Sequence, residues 1–276
     1  MPAKYKLPAE ETISQIKAAG FAGTELGLNL PLVPWRFNRL LQKYELESVG
    51  GMWPTHLLTR PYLLEALLFR LILAYLRAMK ASVVMVAEYG YSQNRSLTRR
   101  LFPSQLPHPS DKQWQKLGRG LVKFQKLAED RGFNFGYHPH VGTVIIELWQ
   151  IERLLAEAPE LMLAIDTGHL AFAGVNPREF IDRYIDRIVH FHLKNVRPAV
   201  VAQAHTEPLP WRWAQIDGAF TVPGDGGIDF RPILEKIRSS GYEGWIVLEA
   251  EQNPYTANPY LYARLGRTYI KEVTGW

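Results

Sequence analysis

Cysteine is absent from the 276-residue sequence. This absence excludes disulfides, thiolate zinc sites, iron–sulfur clusters and cysteine nucleophiles. Any bound metal ion must therefore be held by nitrogen and oxygen donors from His, Asp and Glu side chains. A chain without cysteine suits a reducing compartment, and we predict a cytoplasmic location.

The sequence also lacks an apolar run long enough to cross a bilayer. Its most apolar stretch, residues 63–79, is interrupted by Glu65, Arg70 and Arg77. A membrane span needs about 20 predominantly apolar residues, so a core helix is the better interpretation. The first six residues do not resemble a signal peptide. We predict that the protein has no membrane partner.

Charge of one sign is not concentrated in any long segment. Lys and Arg together number 32 against 27 for Asp and Glu, which gives a net charge of +5. A basic protein binds nucleic acid well only when its charge is clustered on one face. The densest basic patch, residues 95–100, contains three arginines, and we interpret it as solvated surface. We predict no nucleic-acid partner.

Short apolar runs alternate with amphipathic segments along the chain, which is typical of repeated βα units around a parallel sheet. We predict strands at residues 21–26, 46–53, 83–88, 133–138, 161–166, 188–193 and 245–249. We predict helices at residues 8–19, 35–44, 62–79, 111–130, 148–156, 177–184, 230–239 and 261–273. The length matches one TIM barrel of roughly 250 residues, so we predict a single catalytic domain over residues 1–276.

One strand of the eight expected in a (β/α)₈ barrel is missing from this prediction. It would precede the first helix, where only seven residues stand. Two expectations follow for the open edges beside residues 21–26 and 245–249. Either residues 1–7 and a neighbouring subunit cover the gap, or the true start codon lies upstream and restores a strand.

Five of the eight histidines lie at or just after three predicted strand ends. Alternation along residues 133–140 places His138 and His140 opposite three aromatic side chains. The same rule applied to residues 188–194 places His190, His192 and Lys194 on one face. Because the apolar faces can pack on helices, we expect the histidines to point into the barrel.

Acidic residues stand at the ends of four runs, at Glu25, Glu88, Asp166 and Glu249. TIM-barrel enzymes place their catalytic groups at this end of the strands. Any one such residue is more often a satisfied polar group or a loop cap than a functional one.

Together, His138, Asp166, His192 and Glu249 would converge in the barrel mouth. A buried cluster of this kind needs a cation to neutralise it, so we predict that these four residues bind a metal ion. His190 lies deeper in its strand, and we assign it a structural role.

The remaining strand-end residues are candidates for substrate contact. We predict this role for Glu25, Trp53, Glu88 and Tyr91, although Glu25 and Glu88 could instead pair with nearby Arg or Lys side chains. The Gly-rich run at residues 224–227 lacks the Lys and helix placement of a phosphate loop, so we interpret it as a tight turn. The sequence contains no Gly-x-Ser-x-Gly motif and gives no support to a serine hydrolase.

Five motifs resemble, in order and spacing, those of the inosose dehydratases within the xylose isomerase-like TIM-barrel superfamily. They are YHPHVGT at 137–143, DTGHLAFAG at 166–174, HFHLKNVR at 190–197, AFTVPGDGGIDF at 219–230 and GWIVLEAEQNP at 244–254. The DTGH and HxHLK motifs are shared across the superfamily and do not define the substrate. The last two motifs are more specific to the dehydratases.

The resemblance implies dehydration of 2-keto-myo-inositol, a small polyol ketone, to a trihydroxycyclohexane-1,2-dione in inositol catabolism. It implies a divalent cation, manganese or cobalt, and in some members glutathione. The same four residues, His138, Asp166, His192 and Glu249, match the positions of the metal ligands.

His140, His169 and Lys194 match catalytic or neighbouring positions of the family. A proton alpha to a ketone suits a base with a near-neutral pKa, so His140 is our first candidate for proton transfer. Lys194 lies two residues beyond His192 on the same face and could hold the developing oxyanion. A solvated loop lysine is the alternative interpretation of Lys194.

Two other functions stay open at this point, and a third is disfavoured. A ketose isomerase or epimerase of the same superfamily would use the same metal but return the proton to the substrate. A barrel that has lost catalysis would act only as a binding protein. The apurinic endonuclease branch needs three metal ions and more His and Asp ligands than these strand ends offer. A homo-oligomer is a further open expectation.

Overall fold

The computed structural model describes residues 7–27, 29–92, 107–206 and 211–276. The helices are α1 (Ala9–Ala18), α2 (Pro34–Lys43), α3 (Tyr62–Ala78), α4 (Asp111–Glu129), α5 (Leu148–Glu157), α6 (Thr167–Phe172), α7 (Pro177–Tyr184), α8 (Pro198–Thr206), α9 (Trp211–Ile216), α10 (Phe230–Ser239) and α11 (Pro259–Thr274). The strands are β1 (Gly23–Thr24), β2 (Glu47–Ser48), β3 (Gly50–Thr55), β4 (Val83–Glu88), β5 (Asn134–Tyr137), β6 (Leu163–Asp166), β7 (Ile188–Leu193), β8 (Asn195–Val196), β9 (Phe220–Thr221) and β10 (Ile246–Leu248).

The main sheet is parallel and follows the order β10-β7-β6-β5-β4-β3. β2 directly precedes β3 in the chain and pairs in parallel with β1, which extends the same arrangement by one strand. Helices connect most successive strands, as parallel pairing requires. The architecture is an α/β barrel of the TIM type, which confirms the predicted fold class.

Alternation along the strands separates two apolar regions. On β4, Val84 and Val86 belong to the large core between the sheet and the surrounding helices. Val83 and Met85 belong instead to a small cluster with Ala164 of β6, against which Trp245 packs. This second cluster lies inside the barrel, so both faces of β4 are buried and all six of its residues are inaccessible to solvent. It forms an apolar floor beneath the strand ends.

The edge between β1 and β10 is open in the described part of the chain. No strand among the described residues pairs with the outer edge of either strand. A cavity of about 440 Å³ lies there, lined by backbone and side chains of residues 20–25 and 245–249. All three residues of β10 are only half-buried. The gap predicted from the sequence is therefore present between these two strands.

All seven predicted strands are present, and those at residues 83–88 and 188–193 have the predicted bounds. Residues 21–26 yield only β1, and residues 46–53 are divided into β2 and β3 at Val49. The sequence did not predict α6, α8, α9 or the antiparallel β8–β9 pair. The basic patch at residues 95–100 and residues 1–6 lie outside the described residues. No helix in the described ranges is long and apolar enough to cross a membrane.

The close approach of β5 and β6 depends on a glycine. A Cβ atom added at Gly136 would lie 2.7 Å from the backbone nitrogen of Ala164. We expect Gly136→Ala to lower the free energy of unfolding by about 1–3 kcal/mol, because the strands would have to separate. Denaturant titration measures the change. Gly27→Ala is the control, since its nearest atom would be 3.9 Å away, and equal losses in both variants would contradict the argument.

Candidate active site and metal centre

Four strands direct polar side chains toward one end of the barrel interior. His138 and His140 follow β5, Asp166 ends β6, and His190 and His192 lie on β7. Lys194 follows β7, and Glu249 and Glu251 follow β10 on the same alternating face as Val247. Asp166 also accepts a hydrogen bond from the backbone N–H of His169 at 2.8 Å, so α6 begins at this carboxylate. The predicted convergence of the strand ends is present.

His192 lies between two carboxylates. Its Nδ1 is 2.8 Å from Glu249 Oε2 and 3.8 Å from Asp166 Oδ2. Its Nε2 is 3.0 Å from Oε1 of Glu25, and the same oxygen lies 2.8 Å from Nε2 of His190. Donor atoms of Asp166, His192 and Glu249 lie within 4.8 Å of one another, and so do those of Glu25, His190 and His192. Each group has the size of a cation site.

Three further imidazoles form a second group beside the first. The ring centroids of His140 and His169 are 4.1 Å apart, and His138 lies 5.6 and 5.7 Å from them. The His138 ring is also 5.4 Å from His192, so this predicted ligand stands between the two groups. His138 Nδ1 is 3.0 Å from the carbonyl oxygen of Ala164. A carbonyl only accepts, so Nδ1 carries the proton and Nε2 is the basic nitrogen.

Lys194 is fully buried, although its side chain carries a charge. Its Nζ lies 2.9 Å from Asp166 Oδ2, 3.2 Å from Glu249 Oε2 and 2.7 Å from Glu251 Oε2. The aliphatic part of Lys194 lies against Gly168, where a Cβ atom would come within 2.6 Å of it. A buried ammonium ion is tolerated only with such partners. The interpretation of Lys194 as a solvated loop residue is therefore wrong.

The charges in the site shift several pKa values. Burial opposes ionisation of Asp166, but Lys194 and His192 lower its pKa to about 2. Burial opposes protonation of His192, but Glu25 and Glu249 raise its pKa well above the ordinary value. Burial lowers the pKa of His138 to about 3. At neutral pH the site therefore combines ionised carboxylates with at least one imidazole that is neutral and available as a ligand.

Hydrophobic residues close the site from one side. Phe220 of β9 is fully buried, its ring centroid lies 5.6 Å from that of His169, and Lys194 Nζ lies 5.2 Å from its centre. Phe172 of α6 packs on the Phe220 ring at 5.5 Å. The β8–β9 pair thus excludes water from the ammonium and the imidazoles. A low-dielectric setting of this kind strengthens every charge interaction inside it.

The four predicted substrate contacts are placed very differently. Glu25 joins His190 and His192 in the barrel, as described above. Trp53 and Tyr91 pack against the large core outside the sheet, and the Tyr91 hydroxyl accepts from Gln113 of α4 at 3.0 Å. Neither residue has a described contact with the imidazoles, so their predicted role has no geometric support.

Glu88 also faces the helices and not the barrel interior. Its carboxylate accepts hydrogen bonds from the backbone N–H groups of Leu57 at 2.9 Å, Leu58 at 3.4 Å and Gly90 at 2.7 Å. These contacts hold the loop that follows β3. The alternative prediction, that Glu88 pairs with an Arg or Lys side chain, is not supported either, because Glu88 forms no ion pair with the described residues. The structure supports an anchoring role for Glu88.

Sequence reasoning did not single out Glu251, and it set His190 aside as structural. Glu251 stands two residues after Glu249, and the strand alternation that grouped His138 with His140 would have placed Glu251 in the site. His190 stands two residues before His192 and shares its carboxylate partner, Glu25. The same periodicity was the available signal for both.

A family model described as "Xylose isomerase-like TIM barrel" matches residues 13–272. Among curated proteins, the inosose dehydratase of Clostridium botulinum (strain Alaska E43 / Type E3) is 38% identical over 265 residues, covering 95% of this chain and 89% of that protein. The inosose dehydratase of Lacticaseibacillus casei is 37% identical over 263 residues, covering 95% and 88%. The chain therefore belongs to the xylose isomerase-like TIM-barrel family and, within it, to the inosose dehydratases.

A solved structure shares the fold at low sequence identity. The IOLI protein with a bound zinc atom has a TM-score of 0.67 and is 12% identical, and the match covers 98% of this chain and 95% of that one. Family membership identifies the chain as an enzyme of the dehydratase type, so the predictions of the family and of inosose dehydratase activity are confirmed. The alternatives of a binding protein and of an endonuclease lose their support.

Burial raises the pKa of Glu88 from its ordinary value of 4.5 to about 8. The backbone N–H groups that donate to its side chain oppose this shift but do not cancel it. Between these values the folded carboxyl keeps a proton that the unfolded chain has released, so stability falls as pH rises. Between these two pKa values, we expect the free energy of unfolding of the wild type to fall by up to about 1 kcal/mol per pH unit relative to that of Glu88→Gln. Denaturant unfolding at several pH values measures this difference, and a difference independent of pH would contradict it.

Proposed function

We propose that this enzyme dehydrates 2-keto-myo-inositol to a trihydroxycyclohexane-1,2-dione with a divalent cation, manganese or cobalt, bound at Asp166, His192 and Glu249. His138 is the proposed fourth ligand through its Nε2. The single observation that carries the proposal is the convergence of two carboxylates and an imidazole within 4.8 Å, beside a buried ammonium ion. The family membership of the chain supports the same chemistry.

The donor set fits such a cation. Carboxylate and imidazole groups suit manganese and cobalt, and the chain has no thiolate to favour a softer ion. Asp166 and Glu249 are like charges brought close together, and the Lys194 ammonium beside both offsets part of their repulsion; a divalent cation would offset more of it. Burial opposes the protonation of His192, but Glu25 and Glu249 raise its pKa well above the ordinary value, so it carries a proton. Metal binding would release this proton, because histidine binds metals as the neutral imidazole.

When bound, the cation supplies Lewis-acid polarisation of the substrate ketone, which is worth several kcal/mol of barrier. The residues of the chain supply proton transfer and charge stabilisation. His140 Nδ1 lies 2.7 Å from the carbonyl oxygen of Val141, so Nδ1 carries a proton and Nε2 is the basic nitrogen. We assign to His140 Nε2 the role of the base that removes the proton alpha to the ketone.

Lys194 and His169 complete the proposed machinery. The Lys194 ammonium donates to the oxygen on which negative charge develops. His169 Nε2 lies 3.3 Å from Lys194 Nζ, and its ring centroid lies 4.1 Å from that of His140. Its position suits the transfer of the abstracted proton to the departing β-hydroxyl group. The proton and the hydroxyl leave together as water, and the enol that remains tautomerises to the dione.

A sugar isomerase or epimerase would use the same groups and return the proton to carbon. Product analysis separates the two outcomes. Incubation of the Mn²⁺-loaded protein with 2-keto-myo-inositol should give the dione and one equivalent of water. Exchange of the alpha hydrogen with solvent deuterium without loss of water would favour the isomerase. Lack of both reactions in a metal-loaded protein would contradict either function.

Several finer features stay predictions. Residues 1–276 as a single catalytic domain, a homo-oligomer, a cytoplasmic location, a place in inositol catabolism and a requirement for glutathione have no direct support in the described structure. The absence of nucleic-acid and membrane partners is likewise untested. Size-exclusion chromatography with light scattering addresses the oligomer, and turnover with and without added glutathione addresses the last requirement.

We expect one divalent cation per chain and complete loss of turnover on chelation. Asp166→Ala and His192→Ala should each lose the metal, because each removes a proposed ligand. Lys194→Ala should keep the metal but lower kcat by about 100-fold or more, as for loss of one oxyanion donor. Elemental analysis and steady-state kinetics measure both properties. Full activity after verified removal of metal would refute the metal dependence.

A further inference from the structure

Glu251 adopts an unusual backbone conformation beside the site. Three described non-glycine residues have positive φ angles, and they are Glu45, Lys80 and Glu251. Glu45 and Lys80 directly follow the last turns of α2 and α3, where left-handed residues commonly close a helix. Glu251, with a φ of 40°, follows β10 and ends no helix. Such a conformation costs about 1–3 kcal/mol and persists only when its surroundings impose it.

The contacts of the Glu251 side chain explain what the conformation achieves. Its Oε2 lies 2.7 Å from Lys194 Nζ and 3.6 Å from His169 Nε2. Its Oε1 accepts a hydrogen bond from Gln215 Nε2 of α9 at 3.2 Å. The side chain is 19% exposed, less than the 35% of Glu249. The strained backbone thus turns a carboxylate inward, where Gln215 fixes one oxygen and the ammonium takes the other.

Lys194 shares its other two carboxylates with the proposed metal site. Asp166 and Glu249 lie 2.9 and 3.2 Å from its Nζ, and both are assigned as metal ligands. A divalent cation bound by these oxygens would draw on the same lone pairs and would repel the ammonium. Glu251 is the one carboxylate of the three that the proposed metal site does not use.

We propose that Glu251 is the positioning residue that holds the Lys194 ammonium in the site when Asp166 and Glu249 bind the cation. This inference rests on the proposed function. Without the Glu251 charge, the metal ligands are the only carboxylates left beside the ammonium, so it competes with the cation for Asp166 and Glu249. Glu251 therefore both directs Lys194 toward the substrate oxygen and keeps it from weakening the metal site.

The first test measures binding of Mn²⁺ alone, without substrate. Glu251→Gln should weaken Mn²⁺ binding by about tenfold, which corresponds to about 1.4 kcal/mol. The same substitution made in a Lys194→Met background should have little effect, because the competing ammonium is gone. Isothermal titration calorimetry on all four proteins gives the coupling. Glu243→Gln, an exposed acidic residue before β10, is the matched control and should bind Mn²⁺ as wild type does.

The second test measures turnover at saturating Mn²⁺. Glu251→Gln should lower kcat by about 10- to 100-fold with KM nearly unchanged, because Lys194 acts on the developing charge. Glu251→Gly should show the same loss of kcat per folded molecule, whereas in Tm the relief of backbone strain is opposed by the loss of a carboxylate partner of the buried ammonium. A residue with a purely structural role would lower Tm and leave kcat per folded molecule unchanged.

The outcomes are distinct from those that test the reaction. An unchanged Mn²⁺ affinity in Glu251→Gln, or an equal loss in the Lys194→Met background, overturns the positioning role. If Glu251→Gln does not fold, Glu251→Gly takes its place in the same cycle, with the same criteria. Failure of the wild type to dehydrate 2-keto-myo-inositol refutes the proposed function, whereas the coupling between Glu251, Lys194 and Mn²⁺ is measured without any turnover.

Discussion

The burial of the Lys194 ammonium among carboxylates is the constraint on which the rest of the site depends. An ammonium ion loses its hydration when buried, so three carboxylates within 3.2 Å have to replace the lost water. These carboxylates come from β6 and from the segment after β10, on either side of β7 in the sheet. The parallel order of the strands brings them to one end of the barrel. The burial of Lys194 therefore depends on the strand order, because this order brings the three carboxylates to its ammonium group.

The two faces of the strands divide the polar residues by role. Side chains inside the barrel, such as Asp166 and His192, form the candidate active site above an apolar floor. Side chains on the helix side, such as Glu88, serve the loops. Glu88 is as deeply buried as Asp166, yet its partners are backbone N–H groups and not other ionisable side chains. Burial of a carboxylate alone does not indicate catalysis, and the identity of its partners does.

Prediction from the sequence succeeded where one strand face is polar and the other apolar. The runs around His138 and His192 alternate clearly, so both their strands and their inward direction could be inferred. All five residues before Glu88 in β4 are apolar, because both faces of this strand are buried. The run therefore gives no sign of which face points into the barrel. The short helices and the β8–β9 pair have too few residues to show a period. Alternation from Glu249 points to the side of the strand on which Glu251 lies, but its positive φ angle is not visible in the sequence.

The open edge of β10 has a consequence for how the site holds together. Among the described residues β10 pairs only with β7, so its hydrogen bonds depend on one neighbour and it is a weak point for local opening of the sheet. Glu249 and Glu251 both follow this strand. Fraying of β10 would withdraw two carboxylates at once. A cation held jointly by Asp166, His192 and Glu249 would link β10 to β6 and β7. The bound cation would then hold β10 in the sheet, where no second neighbouring strand does so among the described residues.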